Sequence, residues 1–317
     1  MLKVLRRGQR ATEIEEVVDG WRPAPDVLWI DLLKPSRAEE LAVEAALGLQ
    51  LPTIEEMQAL EPSSRLYQEC GATFMTATLL AHSHEEAHHA TPVTFVLAKG
   101  LLVTLRYEEL RAFAIFSERA PAADFASGTS TLLGLLDAIV ERLAKTLEDM
   151  GEKVELASTA IFRRPPGGNF RPLLTDLAQA QSVTSITRKS LVSLARTLGY
   201  ASLATEIAAD PECRAHLETL QRDVQSLTEH AGYQSSHIAF LLDAALGLIN
   251  IEQNGIIKFF SVVAVVFMPP TLIASIYGMN FDVLPELHWA AGYPMALAAM
   301  VVAAALPVLW FKRRGWL

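Results

Sequence analysis

Two groups of residues in this 317-residue chain have the types and spacing for chemistry. His84-Glu85-Glu86-Ala87-His88 sets two imidazoles four residues apart around a glutamate. On a helix, that pattern holds zinc and lets the glutamate activate water. His82 and His89 enrich it. The segment lies between two strand-like runs, with Pro92 just beyond, and has barely room for two helical turns. It therefore reads as a solvated connecting loop, with adventitious Zn²⁺ or Ni²⁺ binding ahead of a metalloprotease. The second group is Gly278-Met279-Asn280 with Asp282 and Glu286 close behind. Taken alone, Gly278 and Asn280 read as the end of a helix, and the two acids as a solvated loop. No Gly-x-x-x-x-Gly-Lys-[Ser/Thr] occurs, so ATP-driven work lacks its usual phosphate loop.

The elements around the second group carry the stronger signal. Residues 259–277 and 291–311 contain no charged side chain, and each can cross a hydrocarbon core of ~30 Å as a helix. Between them, 278–290 holds Asp282 and Glu286 and no Lys or Arg. Lys258 precedes the first run, and Lys312, Arg313 and Arg314 follow the second. The positive-inside rule then puts both termini in the cytoplasm and the acidic loop outside. Trp289 and Tyr293 at one boundary, and Trp310 and Trp316 at the other, suit interfacial anchoring. Mean hydropathy is positive at +0.25, and the net charge of −9 argues against a nucleic-acid partner. Two cysteines, Cys70 and Cys213, exclude a disulfide scaffold and a cysteine zinc module, and both read as small buried or semi-buried side chains. No apolar run follows the N-terminal basic residues, so no signal peptide is expected.

The preceding ~250 residues read as α/β and then helical. Residues 27–33, 74–80, 93–98 and 101–105 are strand-like, with a tight turn at Lys99-Gly100. Short helices are expected at 37–49 and 52–59, and longer ones at 131–161 and 173–198. The clearest loop is Arg163-Arg164-Pro165-Pro166-Gly167-Gly168-Asn169. Asp210-Pro211 opens a last helix, with Asp210 as N-cap. Leu217, Leu220, Val224, Leu227, Ala231, Gln234, Ile238, Leu241, Ala245 and Leu248 follow a three-four spacing that runs into the first apolar span. A continuous helix from Pro211 to Tyr277 would be on the order of 100 Å long. Its seam must pack on something. A second copy of the chain is the economical partner, and the chain's own helices at 131–198 explain the seam nearly as well.

Tyr277-Gly278-Met279-Asn280 followed by Leu284-Pro285-Glu286-Leu287 closely resembles the CorA family of magnesium channels. The family's signature is Gly-Met-Asn at the end of the first of two C-terminal spans, with a Met-Pro-Glu-Leu loop. Here Leu284 replaces that methionine. Similarity extends to Trp29-Ile30-Asp31-Leu32, to residues 104–110, 249–254, 267–270 and 292–294, and to the terminal 311–317. The resemblance implies a funnel-shaped homopentamer in the inner (plasma) membrane. A cytoplasmic α/β and helical domain (1–209) would lead through a stalk (210–255) to a pore-lining span (256–277). An external loop (278–290), an outer span (291–311) and a basic tail (312–317) would follow.

The same resemblance implies function. Mg²⁺ holds its water shell tightly, and five Asn280 amides at the outer mouth would accept hydrogen bonds from the hydrated ion without trapping it. Asp282 and Glu286 would concentrate cations there. Asn254, Ile257, Ser261, Ala264, Met268, Thr271 and Ser275 would face the pore, with Met268 as an apolar gate and Asp243 as an acidic ring at the inner entrance. Pro269-Pro270 marks a bend. Mg²⁺ would be both substrate and regulatory ligand, closing the channel from inside by bridging acidic groups between subunits. No cofactor is expected, and Co²⁺ and Ni²⁺ would be secondary substrates. None of the stalk acids Glu218, Asp223 and Glu229 matches a known sensing position. A ZntB-like zinc transporter and a non-transporting membrane metal sensor are the alternatives.

Overall fold

The computed structural model describes residues 1–14, 20–59, 61–82, 88–123, 125–163, 168–280 and 289–316. The chain forms two compact units, Met1–Phe162 with Arg171–Leu241, and Arg163–Phe170 with Leu242–Leu317.

The first unit is organised by a mixed sheet. Strands β1 (Leu2–Arg6), β2 (Thr12–Ile14) and β3 (Val27–Leu33) come first, then helices α1 (Arg37–Leu47), α2 (Ile54–Gln58) and α3 (Pro62–Arg65). Strands β4 (Leu66–Glu69), β5 (Ala72–His82), β6 (His88–Ala98) and β7 (Leu101–Arg106) complete it. The order is β2-β1-β3-β7-β6-β5-β4. Only β3 and β7 pair in parallel. All seven residues of β3 are buried, as a strand covered on both faces requires, which is why its sequence shows no alternation.

Local chemistry sets the connections. Lys99 and Gly100 take φ of 52° and 78°, the two left-handed residues that a mirror-type hairpin turn needs. Cys70 and Gly71, at 53° and 75°, do the same between β4 and β5. That turn leaves Cys70 exposed, contrary to the expectation from composition, while Cys213 is buried. Helices α1 and α2 each open with a reciprocal capping box, Ser36 with Glu39 and Thr53 with Glu56.

The pleat sends alternate side chains into two cores. Ile30, Phe74, Val96 and Val103 pack with Val43, Leu47 and Met57 of α1 and α2. Trp29, Met75, Phe95 and Leu102 pack with α4 (Arg111–Arg119), α5 (Gly128–Arg163), α6 (Arg171–Ala201), α7 (Thr205–Ala209) and the first part of α8 (Pro211–Tyr277). Across the parallel pair, Arg106 donates Nε to Asp31 Oδ1 at 3.0 Å and Nη2 to Oδ2 at 2.8 Å. Thr104 donates to Asp31 Oδ1 at 2.8 Å and accepts from Trp29 Nε1 at 2.9 Å. Arg106 also donates to the Glu108 carbonyl and stands 4.5 Å from the Phe113 ring. Asp31 and Arg106 are both buried, so every link in this network replaces water.

Helix α8 runs unbroken for 67 residues, with Asp210 Oδ1 accepting from the Glu212 amide at its start. The periodic seam is filled from within the chain. Leu217, Leu220, Val224 and Ala231 share a core with Leu136, Leu143 and Leu147 of α5 and Leu191, Leu194 and Leu198 of α6. The polar interruption, Gln234, is buried; its Nε2 donates to the Leu147 carbonyl at 3.1 Å and its Oε1 accepts from Thr184 at 3.4 Å. Over Leu217–Gln234 the seam packs on the chain's own helices α5 and α6.

Candidate ion pathway

The second unit carries the end of α8 and helix α9 (Gly292–Arg313). Both are long and apolar enough to cross a membrane, yet only 6% and 11% of their apolar windows are buried. A hairpin in a soluble core would be mostly covered. Phe259, Phe260, Phe267, Leu272, Val301 and Leu306 are among the large side chains left exposed. Each would cost about 1.5–3 kcal/mol in water, so the surface demands lipid or protein.

The spans are antiparallel neighbours. Lys258 Nζ lies 5.3 Å from the Trp316 ring, so the start of the first span meets the end of the second. From Lys258, the less exposed residues of α8 are Val262, Val263, Val266, Pro269, Pro270, Ile273 and Tyr277, which lie along one face of the helix. On α9 the buried positions are Gly292, Ala296 and Phe311, of which the first two are small enough to admit close approach.

At about 100° per residue, Asn254, Ile257, Ser261, Ala264, Met268, Thr271 and Ser275 form a stripe on the opposite face of α8. All seven are exposed, Met268 at 68%, and Asp243 is exposed as well. Ser261 donates to the Ile257 carbonyl at 2.8 Å and Thr271 to the Phe267 carbonyl at 2.7 Å, so these hydroxyls are satisfied by their own helix. The helix continues through Pro269 and Pro270. Neither proline has an N–H, which removes the usual donors to the Val265 and Val266 carbonyls.

Helix α8 ends at Tyr277, as the helix-end reading of Gly278 and Asn280 expects, but without a left-handed glycine cap. Gly278 does not adopt a left-handed φ, and its N–H still donates to Ala274 in helical fashion at 2.9 Å. Asn280 is exposed, and its side chain makes no capping hydrogen bond among the described residues. Asp282 and Glu286 lie outside the described residues, as do His84, Glu85 and most of the loop expected after Arg163.

The histidine-rich segment lies between two strands, as expected, but the strands reach further into it than the sequence suggests. His82 ends β5 and pairs in register with His88 at the start of β6, and His89 pairs with Ala81. With His88 in a strand, it cannot share a helical face with His84. His89 Nε2 instead stands 4.0 Å from Glu108. No three His, Cys, Asp or Glu side chains gather to hold a metal among the described residues. Glu218, Asp223 and Glu229 are exposed on α8. The buried Asp31–Arg106 pair and the Lys258–Trp316 contact were not read as partners from sequence, although the family-like stretches 29–32 and 104–110 contain the first pair.

The family described as CorA-like Mg²⁺ transporter protein matches residues 25–313. This chain belongs to the CorA family. It is 35% identical over 310 residues to the magnesium transport protein CorA of Escherichia coli K12, covering 97% of each chain. Its fold matches the complete CorA magnesium transporter of Methanocaldococcus jannaschii with a TM-score of 0.78 at 20% identity, covering 100% of this chain and 99% of that one. The ZntB cytoplasmic domain of Vibrio parahaemolyticus matches at 0.59 and 11% identity, covering 79% of this chain and 99% of that domain. Membership places the chain among CorA-like transporters and not among enzymes.

Proposed function

We propose that this CorA-family protein is a plasma-membrane channel for electrogenic Mg²⁺ influx, assembled from five copies around the exposed stripe of α8. The observation that carries the reading is the two-faced first span. One stripe, from Val262 to Tyr277, is only partly exposed, while the opposite stripe, with Asn254, Ser261, Thr271 and Ser275, is open. Polar groups at membrane depth belong against a water-filled path or another subunit, not against lipid. Asn280 stands exposed where that helix ends. A ring of its amides would bind the water shell of Mg²⁺, with Gly278 and Met279 shaping the mouth and Asp282 and Glu286 drawing cations to it. Met268 would form a constriction that gates by dewetting. The basic residues at one end of the spans put both termini in the cytoplasm, so an inside-negative potential drives entry. Co²⁺ and Ni²⁺ would follow as secondary substrates.

Closure by intracellular Mg²⁺ would have to use sites shared between copies, since the described residues of one chain assemble none. The test is Mg²⁺ flux into proteoliposomes under an inside-negative potential, with Asn280→Ala in parallel. Flux lost in the variant supports the channel. Zn²⁺ flux without Mg²⁺ flux moves the protein to the zinc-transporting alternative. No flux of either ion leaves a membrane sensor.

A further inference from the structure

The end of α9 is a built turn. Gly315, at φ 68°, lets the Trp316 amide donate to the Phe311 carbonyl at 3.0 Å and its own amide to Lys312 at 3.2 Å. This is the double hydrogen bond of a Schellman cap, and its usual apolar contact is present as Trp316 stacked on buried Phe311 at 5.4 Å. The turn folds Trp316 back beneath Lys258, while Arg314 lies 5.1 Å from the Trp310 ring. Lys258 and Arg314 thus stand against the rings of Trp316 and Trp310, with Lys312 and Arg313 in the same turn, and none of the four forms an ion pair among the described residues. In a chain of net charge −9, four such cations at one end of two uncharged apolar helices form a strong local field.

We propose that this end of the helical pair binds the phosphate headgroup of an anionic phospholipid, bridging Lys258 of α8 and the basic turn of α9. The inference rests on the membrane-spanning reading. An amphiphile fits better than a free anion because the charges continue an apolar track. Val302, Leu306 and Leu309 are exposed on α9 at four- and three-residue spacing and lead to Arg313, so acyl chains would lie along them with the headgroup at the cations. The bound lipid would fasten the cytoplasmic ends of the two spans to each other.

The test is tryptophan quenching in the full-length, detergent-solubilised protein titrated with dibrominated phosphatidylglycerol or dibrominated phosphatidylcholine. Trp316→Phe assigns the signal. Phosphatidylglycerol should quench at lower mole fraction, and neutralising Lys312, Arg313 and Arg314 to Gln should cut that preference by roughly fivefold per cation. Lys258→Gln, which leaves the turn intact, should lower it by one such step. Equal quenching by the two lipids, or a preference unchanged in the Gln variants, overturns the proposal. Displacement of phosphatidylglycerol by millimolar inorganic phosphate would do so too, by showing a free-anion site. Flotation with phosphatidylcholine vesicles is run alongside. A protein that floats but shows no headgroup preference loses only this inference, whereas one that does not float loses the membrane reading as well.

Discussion

The most consequential single residues of the first unit lie away from the proposed pathway. Asp31 and Arg106 are buried and bidentate, with Thr104 and Trp29 completing the hydrogen bonding. Removing one partner leaves a charge without water or counterion, so Asp31→Ala should destabilise the protein by about 3–5 kcal/mol, read as a lower thermal midpoint in detergent. The cysteines should divide by reactivity. Burial first, and then Asp210, push the Cys213 thiol up to about 11. Its thiolate fraction at pH 8 is then about one in a thousand. Iodoacetamide at pH 8, followed by peptide mass mapping, should therefore modify exposed Cys70 and spare Cys213. Because the folded value is raised, this group's contribution to stability is intact at neutral pH and is lost only as pH climbs toward 11.

At the scale of elements, α8 does two jobs along one uninterrupted helix. Its first part closes the core of the first unit. Leu220→Ala should cost about 2–5 kcal/mol, since the site is surrounded by α5 and α6 and cannot fully collapse. Within the first unit, α5 begins against a hairpin. A Cβ on Gly128 would sit 2.5 Å from the Leu102 amide nitrogen and 2.7 Å from the Gly100 carbonyl oxygen, both backbone atoms that cannot swing away. Gly128→Ala should therefore destabilise by about 1–3 kcal/mol, in contrast to most alanine substitutions on exposed helical faces.

For the whole molecule, the decisive asymmetry is between a unit that completes its own cores and a pair of helices that does not. The exposed span residues require lipid on some faces and, in the proposed assembly, other copies around the polar stripe. That reading makes Met268 a sensitive position. If it is the constriction, Met268→Ser should wet the path and raise Mg²⁺ flux when internal Mg²⁺ is high, measured in the same proteoliposome assay as Asn280→Ala. Unchanged flux would remove Met268 from the gate and leave the Asn280 mouth to be judged by its own variant.

The sequence by itself determined the two long apolar helices, the unbroken course of α8 and the Lys99-Gly100 turn. Each depends on local quantities: the absence of charge over a bilayer's length, helical periodicity, and the tolerance of particular residues for positive φ. It also carried the resemblance to the family to which the chain belongs, read on Gly278, Met279, Asn280 and the loop that follows. Tertiary structure decided what local patterns leave open. Periodicity at Leu217–Ala231 says that a face is buried, not by which neighbour. Strand signals on either side of residue 85 do not show that His82 and His88 become register partners. Asp31 finds Arg106 across 75 residues only because β3 and β7 lie side by side. Lys258 meets Trp316 only because the chain turns back after Tyr277. Such pairings join residues far apart in the chain, so only the packed backbone brings them together.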